Sequence, residues 1–412
     1  MKKVKAFRAL RPIEGYADQI AALPYDVMDS NEARLMVKDK PLSFLHVDKA
    51  EIDLDPSVDI YDDKVYEKAR TNFQALRASG KMIKDESDCY YIYQQTMGGR
   101  TQTGIVACPH VDDYLNDKIK KHELTRADKE TDRIRHVDTL DANTGPIFLT
   151  HRPDPELAAI TSQWMAKNAS IFSFTADEVK HEGWVIDCAD TIEKIASCFQ
   201  RINALYIADG HHRCASAVKV AQKRREANPD YTGEEEFNYF LAVIFPSDEL
   251  FIYDYNRLVH DLNGLSEAQF LDKVKESFDA EKADKPVKPA NKHQFGLYTK
   301  EGWYCLQAKK GILDDSDPVE RLDVSILQKH LLGPILGIDD PRTNKRIDFA
   351  GGIRGLEELE RRVKSDMAAA FSMFPTTLDD LMDISDAGKI MPPKSTWFEP
   401  KLLSGLFIHD LT

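Results

Sequence analysis

The sequence predicts a mixed α/β or α+β fold in which sheets are covered by helices. Three observations carry this expectation. Short apolar runs alternate with amphipathic stretches along the first 150 residues. Between Trp184 and Phe245 buried-type strands alternate with helical patterns, and 412 residues with 42% hydrophobic character suffice for two or three compact units.

The elements follow in order. Tyr66 to Arg77 reads as an amphipathic helix ended by Ser79-Gly80. Cys89 to Gln94 reads as a strand, Gly98-Gly99 as a turn, and Gly104 to Cys108 as the hairpin partner. Asp117 to Asp141 is densely charged and reads most simply as a solvated helical face. Trp184 to Asp187 and Ala204 to Ala208 read as strands, Asp190 to Gln200 and Cys214 to Ala227 as helices, and Tyr239 to Phe245 as another buried strand. Two prolines among charges make Lys282 to His293 the expected linker. Beyond it, Gly302 to Leu306 and Ala368 to Phe374 read as strands, and Leu356 to Ser365 and Thr376 to Ala387 as helices, the latter closed by Gly388. The expected divisions are 1–150, 151–286 and 287–412.

Composition narrows the function classes. With 55 Lys and Arg against 69 Asp and Glu, the formal charge is −14, too acidic for a broad footprint on nucleic acid or an anionic membrane. No apolar run approaches the roughly 18 residues of a membrane span, and the start lacks a signal-peptide apolar region. The expectation is a cytoplasmic protein with a small-molecule substrate, no nucleic acid and no membrane partner, and compatible with a homo-oligomer. The six cysteines are scattered without a CxxC pair and read as reduced, mostly buried thiols.

Chemistry concentrates in ALYIADGHHRCASAV, Ala204 to Val218. A buried strand, a sharp Asp209-Gly210 turn and a helix beginning at His211-His212-Arg213 gather an anion site. Backbone N–H groups and the positive helix end point at a ligand, and Arg213 supplies a bidentate fork. Asp209 can hold a metal or take a proton. Adjacent histidines diverge on a helix, so they do not form an i, i+4 zinc pair; zinc on His122, His211 and His212 is the minor alternative. A second group comprises His122, Glu123, Thr125, Asp132, Arg133 and Asn143, where a polar run enters an apolar strand. A third is Lys394-Ser395-Thr396, donors after Pro392-Pro393 that lack the glycines of a Walker A loop.

Five ordered blocks carry a resemblance: ALPYDVM (Ala22 to Met28), HELTRADKETDR (His122 to Arg133) with ANTGPIF (Ala142 to Phe148), ADGHHR (Ala208 to Arg213), NRLVH (Asn256 to His260) and MPPKSTWFEPKLLSGL (Met391 to Leu406). Together they resemble the domain-of-unknown-function 1015 family of bacteria and archaea. The DGHHR block alone is similar to the phosphate-binding helix start of the ParB/sulfiredoxin superfamily, which includes CTP-hydrolysing partition proteins and free-serine kinases.

The resemblance implies a ParB/sulfiredoxin-like element around the motif and a small-molecule phosphotransferase, free-serine-kinase-like, using a nucleotide or pyrophosphate with Mg²⁺. Asp209, His212 and Glu123 would be catalytic, with Asp209 and Glu123 on the metal. His211, His212, Arg213, Arg133, Lys394 and Ser395 would bind phosphate. Asp26, His122, Thr125, Asn143 and Arg257 would bind substrate. A metal-dependent phosphohydrolase and a ParB-like nucleotide-sensing regulator without turnover are the alternatives.

Overall fold

The computed structural model describes residues 3–412, which divide into two compact units. The first comprises residues up to Leu250 together with Pro400–Thr412, and the second Phe251–Glu399. Both are mixtures of helices and sheets, as expected. The divisions after residues 150 and 286 are corrected, and the reason is strand pairing. Ile147–His151 hydrogen-bonds inside the first unit's sheet, to strands on both sides. Lys282 to His293 does not join units either, because it connects Phe278–Ala283 to Gln294–Thr299 within one sheet.

The first unit is built on a nine-stranded sheet. Its path runs Ile119–Lys120, Leu205–Asp209, Ile147–His151, Ala242–Pro246, Arg100–Pro109, Tyr90–Met97, Val179–Ile186, Phe172–Ala176, with Val4–Lys5 added to Arg100–Pro109. Ile119–Lys120 is parallel to Leu205–Asp209, and Ile147–His151 is parallel to Ala242–Pro246; the remaining pairs are antiparallel. Gly98 and Gly99 have φ of +55° and +79°, the left-handed pair that a two-residue hairpin turn requires between Tyr90–Met97 and Arg100–Pro109.

Central strands such as Ala242–Pro246 are continuous apolar runs because the sheet is covered on both faces. Helix Ala189–Arg201 supplies Ile195, Cys198 and Phe199, and helix His211–Ala227 supplies Cys214, Ala217 and Val218, to one core with Ile105, Leu149, Ile207 and Ile244. A second core in the same unit packs helix Asp63–Ala78 through Val65, Ala69, Phe73 and Leu76 on Phe44, Leu45 and Val47.

The charged stretch from Asp117 is more than a solvated face. Helix Ala127–Leu140 buries Glu130, Asp132, Arg133 and His136, because polar partners on neighbouring elements receive them. Of the six cysteines four are buried; Cys305 is intermediate and Cys188 exposed.

The second unit carries a fully antiparallel six-stranded sheet in the order Phe278–Ala283, Gly302–Ala308, Gln294–Thr299, Ala369–Ser372, Tyr255–Val259, Ile347–Gly351. Helices Glu267–Ser277 and Leu378–Asp386 both begin in reciprocal capping boxes, Ser266 with Gln269 and Thr377 with Asp380.

Candidate functional site

The site begins with an irregular strand end. Leu205–Asp209 slips in register against Ile147–His151 between Ile207 and Asp209, a bulge that re-aims the last side chain. Gly210 then adopts φ +91° and starts helix His211–Ala227, which has no side-chain cap and no acid in its first turn. A Cβ at Gly210 would stand 3.1–3.2 Å from the Arg213 guanidinium, so glycine allows the arginine to fold back over the turn. Arg213 Nη1 donates to the Pro146 carbonyl at 2.5 Å, while its buried Nε has no partner. The helix end and this guanidinium together present positive potential.

Asp209 is fixed from two sides. Its Oδ1 accepts the Gly210 N–H at 2.8 Å and its Oδ2 accepts from Lys401 Nζ at 3.2 Å. Partial burial pushes its carboxyl up, but Lys401 and Arg213 outweigh that and hold it well below the usual carboxylate range. Lys401 lies in the MPPKSTWFEPKLLSGL block, and Gln95 Nε2 anchors its carbonyl at 2.9 Å. Sequence reasoning chose Lys394 from that block and missed Lys401.

A small cleft opens beside the turn, lined by Tyr25, Asp48, Arg133, Asn143, Arg213 and Ser404 among others. Arg133 is held by Asp132, with Nε to Oδ2 at 2.8 Å, and its guanidinium lies 4.0 Å over the Tyr25 ring. Tyr66 donates to the other Asp132 oxygen at 2.8 Å. Burial pushes against the charge of Arg133, but Asp132 and Tyr25 keep it protonated. Asp48 is buried, accepts from Thr144 Oγ1 at 2.9 Å and lies 3.9 Å from His136 Nε2. The cleft therefore offers cationic and anionic groups side by side. Thr144 and Ser404 fall inside quoted sequence blocks; Asp48 falls in none, and no local pattern points to it.

Next to Asp209 lies a group of a different kind. His122, His211 and Glu123 place their ligand-type atoms within 4.8 Å of one another. The two rings meet edge to face with centroids 4.5 Å apart, and Glu123 Oε2 is 3.9 Å from His211 Nδ1. His122 and His211 are 2% and 5% exposed, yet both His122 ring nitrogens and His211 Nε2 lack a hydrogen-bond partner. Leaving a buried polar atom unpaired costs about 1–3 kcal/mol each. Burial pushes His122 down to about 4 and His211 well below the ordinary range, against the opposing pull of Asp209, so both rings are neutral at pH 7.

The other expected residues divide. Asn143 lines the cleft, although its Oδ1 accepts the Leu241 N–H at 3.3 Å. His212 Nε2 accepts the Arg126 N–H at 3.0 Å, and Thr125 donates to Glu130, which also accepts from Lys219; the first and last of these bonds tie helix Ala127–Leu140 and the segment before it to helix His211–Ala227. Asp26 is exposed and acts on Tyr25 and His212 through its charge.

Arg257, Lys394 and Ser395 belong to the second unit. Arg257 is buried and donates to the Tyr255 and Pro393 carbonyls, Ser395 donates to the Pro392 carbonyl at 2.7 Å, and Lys394 Nζ lies 5.6 Å over the Tyr255 ring. The expected Asp209 and Glu123 metal pair is not assembled either: Glu123 groups with the two imidazoles, while Asp209 is occupied by Lys401 and Gly210.

Comparison with solved structures returns distant likenesses. A free serine kinase in complex with AMP is 15% identical, with TM-score 0.37 over 71% of this chain and 86% of that one. A conserved hypothetical protein from Pyrococcus furiosus is 14% identical, with TM-score 0.36 over 73% and 94%. SbnI with a C-terminal truncation, from Staphylococcus aureus, is 10% identical, with TM-score 0.37 over 72% and 85%. No curated protein matches the sequence. Among the described residues no helix is long and apolar enough to cross a membrane. A family model described as a protein of unknown function, DUF1015, matches residues 4–325, and the chain belongs to that family.

Proposed function

We propose that this chain is a cytoplasmic small-molecule phosphotransferase that holds a nucleotide or pyrophosphate at the Gly210 turn and passes a phosphoryl group to a small hydroxylated metabolite, free serine being the first candidate. One observation carries the reading: an uncapped helix start with the Arg213 guanidinium folded over it, opening on a cleft that also holds Arg133. Phosphoryl transfer needs little covalent help from a protein, since catalysis is chiefly positioning and charge neutralisation. Backbone N–H groups of His211 to Arg213 and the two guanidinium groups would cradle the phosphates. Lys401 would neutralise charge on the transferring group. The acceptor oxygen attacks phosphorus as the bond to the leaving oxygen breaks, and its proton passes to Asp209; Lys401 and Arg213 hold this carboxylate ionised and make it a weaker base than a free aspartate, so it orients the hydroxyl and takes the proton only as the bond to phosphorus forms.

Magnesium, which the resemblance implies, takes oxygen ligands at about 2.0–2.1 Å in octahedral geometry. The described side chains do not fit it as a protein-held ion, because the Asp209 oxygens are engaged by Lys401 and Gly210 and Glu123 stands with two imidazoles. The protein's share of the chemistry therefore falls to its own cations and the helix end.

Thermal shift of the full chain against ATP, ADP, CTP, pyrophosphate and phosphoserine tests the reading, since a ligand that binds only the folded state stabilises it by about 2.7 kcal/mol at a hundredfold excess over Kd. Stabilisation by a phosphate donor that disappears in Arg213→Ala, followed by ³¹P detection of a phosphorylated serine, is the expected result. Indifference to every phosphate compound would overturn it.

A further inference from the structure

We propose that His122, His211 and Glu123 bind one divalent transition-metal ion of the zinc type through two imidazole nitrogens and one carboxylate oxygen. The inference does not rest on phosphoryl transfer and stands whatever reaction the cleft serves. Ile119–Lys120 and Leu205–Asp209 are parallel neighbours, with Ile119 opposite Leu205 and Lys120 opposite Tyr206. Both chains leave the sheet at its carboxyl end, where His122-Glu123 and His211 follow within two or three residues. The sheet thus brings the two segments side by side, and His122 and Glu123 stand in the irregular segment just beyond its edge strand.

Two histidines that merely fill a core position their ring N–H groups on carbonyls or carboxylates. Here three buried ring nitrogens make no hydrogen bond of good geometry, in rings that are 2% and 5% exposed, although the Ile207 carbonyl stands near enough to act on the His122 ring. A cation bound between them would satisfy nitrogens that the protein leaves unpaired.

The ligand-type atoms lie within 4.8 Å of one another, whereas bonds of about 2.0–2.1 Å in a tetrahedral site place ligands about 3.3–3.5 Å apart. Rotation of the half-exposed Glu123 side chain about its own torsions would close that gap without moving the sheet. Two imidazoles and a carboxylate suit zinc, cobalt, manganese or iron and disfavour magnesium and calcium, which seek oxygen. Three protein ligands leave a fourth position for water or substrate. Asp209, whose charge reaches both rings, would stand just outside the ligands.

The test uses the full chain stripped with a chelator and titrated with Zn²⁺, Co²⁺, Mn²⁺ and Mg²⁺, with bound metal measured by mass spectrometry and cobalt by its visible absorption. The expected result is one equivalent of zinc or cobalt and no effect of magnesium. His122→Ala and His211→Ala should weaken binding by more than the roughly 10- to 100-fold that losing an outer-shell partner costs. Because a buried histidine can matter for folding, Glu123→Gln provides a surface variant that keeps the fold, and it should lower affinity and alter the cobalt spectrum. Absence of stoichiometric zinc or cobalt binding by the wild-type chain, or wild-type affinity in the Glu123 and either histidine variant, would overturn the proposal.

Discussion

Asp209 in the first unit and Asp323 in the second are both acids drawn out of water, and their surroundings drive them in opposite directions. For each, burial is the leading influence and favours the neutral form. Around Asp209 two cations, Lys401 and Arg213, reverse it. Around Asp323 the nearest ammonium, Lys292, is bound to Asp380 at 2.8 Å, and only the His293 N–H reaches Oδ1, so the carboxyl is pushed up to about 7. One residue type thus yields a fixed anion where cations converge and a nearly neutral acid where they are already paired. The arginines repeat the contrast. Arg213 lines a cleft with its Nε unpartnered, whereas Arg257 spends its guanidinium on the carbonyls of Tyr255 and Pro393 and is lowered by burial to about 10.

The largest expected effect concerns the fixed anion. Asp209→Asn keeps the turn but removes the proton acceptor, and phosphoryl transfer should fall by roughly 10²- to 10⁴-fold while the melting temperature changes little. Full activity in the Asn variant would reduce Asp209 to a turn former.

The neutral acid should appear in stability instead. An Asp of the unfolded chain ionises near 3.8, and the folded one near about 7, so the folded state binds the extra proton between these values. Stability of the second unit should therefore decline as pH rises from about 4 to about 7, by on the order of 2–4 kcal/mol. Asp323→Asn should flatten that slope and leave the variant the more stable form at pH 7. Denaturant melts at several pH values decide it, and an unchanged slope would show that Asp323 ionises normally.

The arginines give a smaller contrast. Arg213→Ala should weaken nucleotide or pyrophosphate binding roughly 10- to 100-fold, the worth of a charged hydrogen bond. Arg257→Met should leave that affinity within about twofold and lower stability by about 1–3 kcal/mol, because two buried carbonyls lose their donor. Loss of affinity in Arg257→Met would restore the substrate role that the sequence resemblance implies. The smallest effect is a null one. At about 150 mM salt, duplex DNA should show no gel shift with micromolar protein, since a net charge of −14 offers too few cations to displace counterions.

Much of the fold is legible in local pattern. The hairpin around Gly98-Gly99 and the strand, turn and helix around Asp209-Gly210 stand where apolar runs and turn residues place them. What local pattern does not carry is pairing across distance. Nothing around Ile147–His151 announces that it hydrogen-bonds to strands beginning at Leu205 and Ala242, and a boundary drawn beside it cuts a sheet. The site divides the same way. Asp209 and Arg213 stand out because charge follows an apolar strand, and Glu123 because its polar run leads into one, whereas Asp48 and Lys401 matter only through partners far away in sequence, Thr144 and Asp209. Thr125 and His212 have the residue types of a site, yet their hydrogen bonds fasten helices, a distinction that composition cannot make.

The return of Pro400–Thr412 to the first unit also has a meaning in time. The ribosome must finish roughly 150 residues of the second unit before Lys401 emerges, a delay on the order of ten seconds at ordinary elongation rates. Until then Asp209 lacks its ammonium partner, and the nascent first unit holds a carboxylate whose charge only Arg213 offsets. Maturation of the Asp209 turn is thereby coupled to synthesis of the second unit, and a nascent chain halted within that unit would display the Gly210 turn without the cation that completes it.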